Sequence, residues 1–224
     1  MELASLLDIR PGVTAVIGGG GKTTLLRTFG GELAADGKHV LVCTTTKILP
    51  FPDLPCARTS AELEMLREKH RLVCAGTPVP GTEKLTAPEL SMAQLAAMFD
   101  YVLAEADGAA RRPLKAHAPH EPVIPPQSNQ TILVLGAEGL GRTVAQAAHR
   151  PALYARLAGA EEGSVVTPAL AARMLRAEGL HDRVFVNQAD DWERWADAVR
   201  ALAAELDCPV AAGSLRRGVW RRVQ

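Results

Sequence analysis

The sequence has no excess charge: 25 Lys and Arg balance 25 Asp and Glu. A neutral chain sets up no global field to draw it to nucleic acid or to an anionic membrane, so neither is an expected partner. It also has no apolar run approaching the ~18 residues that a membrane-spanning helix needs. Met1-Glu2-Leu3-Ala4-Ser5 lacks a basic segment leading into an apolar one, so no export signal is expected. Cysteine is scarce, at four residues, and Cys43, Cys56, Cys74 and Cys208 show neither C-x-x-C spacing nor a zinc-like pattern with His. Cys43 and Cys74 sit in apolar runs and read as buried thiols. Reduced thiols without an export signal point to the cytoplasm. Internal repeats and low-complexity linkers are missing too, so 1–224 reads as a single domain.

What is present is an alternation of short apolar runs with helical patterns. Val13–Ile17, His39–Cys43, Arg71–Ala75, Tyr101–Glu105, Thr131–Leu135, Arg183–Asn187 and Cys208–Ala211 read as strands. Helices are expected over Lys22–Ala35, from an N-cap at Ser60 to about His70, and over Pro88–Phe99, Pro151–Leu157, Pro168–Glu178 and Asp191–Leu206. Strands that are continuously apolar belong in a sheet covered on both faces. The expected class is therefore α/β, a mainly parallel sheet with helices on both faces.

The first strand runs into Gly18-Gly19-Gly20-Gly21-Lys22-Thr23-Thr24, at the start of a helix. Backbone N–H groups that converge on phosphate oxygens need conformations that crowd a Cβ, hence glycine. The helix start directs its positive end at the same anion. In this pattern Lys22 reaches the β- and γ-phosphates and Thr23 offers a hydroxyl to Mg²⁺, which predicts a P-loop NTPase fold that binds GTP or ATP. The usual spacing, G-x-x-x-x-G-K-[ST], would put its first glycine at Val16. The loop here is shorter, and resembles that of Mur-type ATP-dependent ligases.

A P-loop needs a carboxylate at a neighbouring strand tip. Glu105 and Asp107 end the Tyr101 strand, and with Lys22 they are the candidate catalytic residues; a turn role for Asp107, before Gly108, is the alternative. Thr44-Thr45-Thr46 end the second strand and suit metal or γ-phosphate sensing, although threonine also simply favours strands. Thr23, Thr45 and Asp107 are the candidate Mg²⁺ ligands. Asn187-Gln188-Ala189-Asp190 follows a late strand, where GTPases carry Asn-Lys-x-Asp. The Asp would accept from the guanine N1–H and amine, and an adenine would leave those acceptors unmatched at about 1–3 kcal/mol each. The competing reading makes Asp190 a helix N-cap.

Arg111 to Pro122 is rich in proline and charge. Arg111, Arg112 and Lys115 suit an anionic substrate or a partner, and His117, His120 and Glu121 suit a metal but lack an obvious further ligand. His149-Arg150-Pro151 is a second basic cluster, and Arg216, Arg217, Arg221 and Arg222 read as a solvated terminus.

The glycine loop, Thr44-Thr45-Thr46-Lys47-Ile48, Glu105-Ala106-Asp107-Gly108, Lys115 through Pro125, His149-Arg150-Pro151 and Asn187 to Asp190 together resemble the YqeC family, whose members carry the description of selenium-dependent hydroxylase accessory proteins. The resemblance implies a P-loop NTPase that assists maturation of a molybdenum hydroxylase, with the hydroxylase or its cofactor-maturation proteins as partners. Two other readings stay open: an ATP-dependent small-molecule kinase or ligase, and a nucleotide-binding regulatory module without catalysis.

Overall fold

The computed structural model describes all 224 residues. In chain order the principal elements are β1 (Gly12–Gly18), α1 (Lys22–Ala35), β2 (Val40–Thr44), β3 (Cys56–Ala57), α2 (Ser60–Lys69), β4 (Leu72–Ala75), α3 (Met92–Met98), β5 (Tyr101–Glu105), β6 (Ser128–Gly136), α4 (Pro151–Ala158), α5 (Pro168–Glu178), β7 (Arg183–Asn187), α6 (Trp192–Ala203), β8 (Val210–Ser214) and β9 (Val219–Arg222). The nine strands form a mainly parallel sheet, as the apolar strand pattern predicts. The chain clusters into two compact units that interleave along the sequence. The first is Met1–Val16, Thr23–Asp107 and Val123–Gln130, and the second is Ile17–Lys22, Gly108–Pro122 and Thr131–Gln224.

In the first unit the strands run β1-β5-β2-β4-β3, every pair parallel. Side chains alternate between faces along a strand. Leu41, Cys43, Val73 and Ala75 pack with Leu63 of α2 and with Leu95 and Phe99 at α3. Val42 and Leu72 therefore face the other way. There α1 comes so close that a Cβ on Gly30 would stand 2.8 Å from a Leu72 methyl carbon. Leu25, Leu26 and Phe29 of α1 are fully buried, each worth about 1.5–3 kcal/mol of apolar burial. Helices thus cover both faces of this part of the sheet.

In the second unit β6, β7 and β8 are parallel neighbours and β9 closes the edge in the antiparallel sense. The β8–β9 pairing is tight: a Cβ on Gly213 would stand 2.1 Å from the Val219 carbonyl oxygen. Tyr154 of α4 and Met174 and Leu175 of α5 gather with Leu133 and Leu135 of β6. Thr167 caps α5 by accepting from Leu170 N–H at 3.1 Å, Pro168 opens the helix, and Gly179, with φ of 60°, ends it.

Several sequence expectations need correction. The N-cap of α2 is Thr59, whose hydroxyl accepts from Glu62 N–H, and Ser60 is the first helical residue. The helix expected from Pro88 begins at Met92, because Ser91 and Gln94 form a capping box that fixes the start. The last expected helix ends at Ala203, and the strand expected at Cys208–Ala211 lies at Val210–Ser214. The arginine-rich terminus is solvated as expected, with Arg216, Arg217, Arg221 and Arg222 all exposed, but its end also forms an edge strand, in which Arg221 lies 4.2 Å from the Trp192 ring centre; Arg216, before that strand, is ion-paired with Asp190.

Candidate functional site

The glycine loop belongs to the second unit up to Lys22. Gly18, Gly20 and Gly21 have φ of 96°, 80° and 134°, the left-handed region where any other residue is strained. Space is equally restrictive: a Cβ on Gly20 would stand 2.6 Å from Gly136 N, and one on Gly21 would stand 2.3 Å from Asn187 Nδ2. The loop is held from behind by protein carbonyls. Gly19 N–H donates to Val134 O at 2.9 Å and Gly20 N–H to Arg112 O at 3.1 Å. Those two donors are committed to the scaffold, so an anion would be met by the N–H groups at the start of α1. Lys22 is 5% exposed, and its ammonium donates to Gly18 O at 2.8 Å, which folds the side chain back over the loop.

Asn187, at the tip of β7, is 7% exposed. Its Nδ2 donates to Gly20 O at 2.7 Å and its Oδ1 accepts Leu215 N–H at 3.0 Å. The side chain therefore ties the glycine loop to the turn after β8. Gln188 follows with φ of 63°. Asp190 does not cap α6: Asp191 does, accepting from Arg194 N–H at 3.3 Å. The helix-cap alternative for Asp190 is thus removed. The Ser214 hydroxyl hydrogen-bonds the Asp190 carboxyl and, with Arg216 and Arg217, holds it below the usual carboxylate range against the opposing effect of burial.

The same unit holds the proline-rich segment. Its backbone makes part of the loop's support through Arg112 O, while the Arg111 and Arg112 side chains are exposed. Lys115 is buried and donates to Gly108 O and, at 2.7 Å, to Glu121 Oε2. Arg150 Nε donates to Glu121 Oε1 at 2.7 Å. Burial raises the Glu121 carboxyl, but the hydrogen bonds from Lys115 and Arg150 outweigh it and hold the group below its ordinary range. His117 Nδ1 is 2.8 Å from Glu178 Oε2. With Glu121 and His117 so engaged, the metal reading of His117, His120 and Glu121 loses its support, and no group of three or more His, Cys, Asp or Glu is placed to hold a metal ion.

The first unit carries the acidic strand tip. Thr23, the residue after Lys22, donates from Oγ1 to Glu105 Oε2 at 2.9 Å. Glu105 is 7% exposed and Asp107, just beyond the strand, is 0% exposed. The Glu105 carbonyl accepts from Thr45 N–H at 3.0 Å and from the Thr44 hydroxyl at 2.9 Å, so the tips of β2 and β5 are locked together. The Thr45 hydroxyl donates to Val123 O at 2.7 Å, which gives this candidate metal ligand a structural partner. A hydroxyl beside a carboxylate is a hard-oxygen pair, and Mg²⁺ is commonly held by one or two protein oxygens together with substrate phosphates and water. The donor set fits Mg²⁺ without a dedicated protein cage.

The sequence profile described as YqeC protein matches residues 14–152, from β1 to the start of α4. The chain belongs to the YqeC family. It is 32% identical over 167 residues to the uncharacterized protein YqeC of Escherichia coli (strain K12), a match covering 67% of this chain and 62% of that protein. Among solved structures it is similar to the hydrogenase maturation factor HypB of Archaeoglobus fulgidus, with a TM-score of 0.46 and 12% identity over 93% of this chain and 83% of that one.

Sequence reasoning missed the role of Asn187 as a tie to the glycine loop and the Lys115–Glu121–Arg150 cluster. Asn187 reaches a loop 167 residues earlier and Arg150 reaches Glu121 across 29 residues, and no local pattern marks such bonds. No helix is long and apolar enough to cross a membrane.

Proposed function

We propose that this YqeC family member binds a nucleoside triphosphate with Mg²⁺ and hydrolyses it, with GTP slightly preferred over ATP, in the maturation of a selenium-dependent molybdenum hydroxylase. The observation that carries the reading is the Thr23–Glu105 hydrogen bond of 2.9 Å, immediately after a lysine that caps a glycine loop with no room for side chains. The maturation role rests on the family resemblance.

The residues divide the work. The N–H groups that open α1 meet the phosphates, and the Lys22 ammonium, on exchanging Gly18 O for a phosphate oxygen, neutralises charge at the transferring group. Thr23 and Glu105 would hold Mg²⁺, with Asp107 as a further carboxylate. Bound there, the ion supplies charge stabilisation to the phosphate oxygens. Asn187 positions the loop, and Asp190, freed of a capping role, is the acceptor for the guanine edge.

One observation favours a second reading, a kinase or ligase. The exposed Arg111 and Arg112 belong to the turn whose carbonyl supports Gly20, which suits an anionic phosphoryl acceptor. Phosphate release from GTP and from ATP, in wild type and Asp190→Asn, separates the two. The switch reading expects GTP to be preferred and the preference to fall in the variant. A preference for ATP, or turnover only when a small-molecule acceptor is added, overturns it.

A further inference from the structure

The first unit contains a thiol pair that nucleotide chemistry does not use. Cys56 and Cys74 are direct Cα partners on the parallel neighbours β3 and β4. Adjacent strands lie about 4.7–4.9 Å apart, inside the range of about 4.4–6.8 Å that a disulfide spans between Cα atoms. Strand alternation puts both on the face of Val42, whereas Cys43 packs in the cluster on the opposite face. The two thiols differ in access. Cys74 is buried, while Cys56 is half-buried on the edge strand and lines an open pocket of about 420 Å³ with Arg58, Glu62, Met65, Leu66 and Lys69.

We propose that Cys56 and Cys74 are a hydroperoxide-oxidised dithiol, in which Cys56 meets the oxidant and Cys74 resolves it to a disulfide joining β3 to β4. The hydrogen bond from Cys74 and the charge of Arg58 favour the Cys56 thiolate against burial, while the same hydrogen bond and burial keep Cys74 protonated. The Cys56 thiolate attacks one peroxide oxygen, breaks the O–O bond and becomes a sulfenic acid, and the leaving oxygen departs as water. Cys74 sulfur then attacks the Cys56 sulfur, the S–O bond breaks, and a second water leaves with the Cys74 proton. Two thiols and one hydrogen peroxide give one disulfide and two waters, and an external dithiol reverses the change.

Cys208 is an internal control: it too is half-buried, and burial raises its thiol. The full chain is treated with hydrogen peroxide, free thiols are alkylated, and the peptides are mapped without reduction. The expected result is a mass loss of two hydrogens, a Cys56–Cys74 linked peptide that forms ahead of any Cys208 oxidation, and its disappearance on adding dithiothreitol. In Cys74→Ser the expected product is a Cys56 sulfenic acid trapped by dimedone, and in Cys56→Ser an unmodified Cys74. Oxidation of Cys56 no faster than Cys208 in wild type, or a Cys74 that stays alkylatable once Cys56 is oxidised, overturns the proposal. Wild-type mapping is decisive even if a variant fails to fold.

Discussion

Asn187 Nδ2 donates to the Gly20 carbonyl at 2.7 Å, joining the tip of β7 to a loop 167 residues earlier. The same side chain accepts Leu215 N–H at 3.0 Å. Asn187→Ala leaves both backbone groups without these partners, at about 1–3 kcal/mol each. The expected result is a fall in Tm of roughly 5–15 °C, together with weaker nucleotide binding. A variant with wild-type Tm and affinity would reduce Asn187 to a passive contact.

Thr23, at the start of α1, and Glu105, at the tip of β5, share a hydrogen bond in the proposed Mg²⁺ site. Glu105→Gln and Thr23→Val are each expected to raise the Mg²⁺ concentration needed for turnover and to slow hydrolysis. The double variant should be little worse than either single one, with a coupling of about 0.5–3 kcal/mol in a double-mutant cycle. Strict additivity would show that the two do not share an ion.

Glu121 compensates a Lys115 side chain with no solvent exposure. Removing one member of a buried ion pair costs about 3–5 kcal/mol, and the partial exposure of Arg150 places Glu121→Gln toward the lower end of that range. Urea unfolding at neutral pH measures it. A loss below about 1 kcal/mol would mean that solvent already compensates Lys115.

Acid should destabilise the protein in two stages. Burial holds the His181 imidazole below its ordinary value, so the unfolded chain takes up that proton first and stability begins to fall as pH drops through about 6.5. Glu121 is held low, so its contribution is complete above the unfolded value of about 4.3 and is lost as pH falls through the folded one. Unfolding free energy followed from pH 8 downward should show the first stage vanish in His181→Gln. Its persistence would assign it to another group.

How far the sequence could be read depended on how local each cause was. Tyr101–Glu105, Pro168–Glu178 and Arg183–Asn187 match the structure residue for residue, because an apolar run or a proline-started helix ended by glycine is written in neighbouring positions. Thr23 and Glu105 were singled out by their places at a helix start and a strand end, though their mutual bond was not. The edge strand Val219–Arg222 was missed because its mostly exposed residues carry no apolar pattern, and only the space left by Gly213 lets it pair closely with β8. The pairing of Leu114–Lys115 with Ala148–His149 had no signal at all, since only the tertiary fold brings those dipeptides together.

The central claim is that the glycine loop and Lys22 hold nucleotide phosphates. Isothermal calorimetry of MgGTP and MgATP with wild type and Lys22→Ala tests it most directly. The account predicts measurable binding to wild type and a loss of roughly 10- to 100-fold in the variant, the value of one charge-assisted hydrogen bond. Equal affinity in the two proteins, or no binding of either nucleotide to wild type, would contradict it.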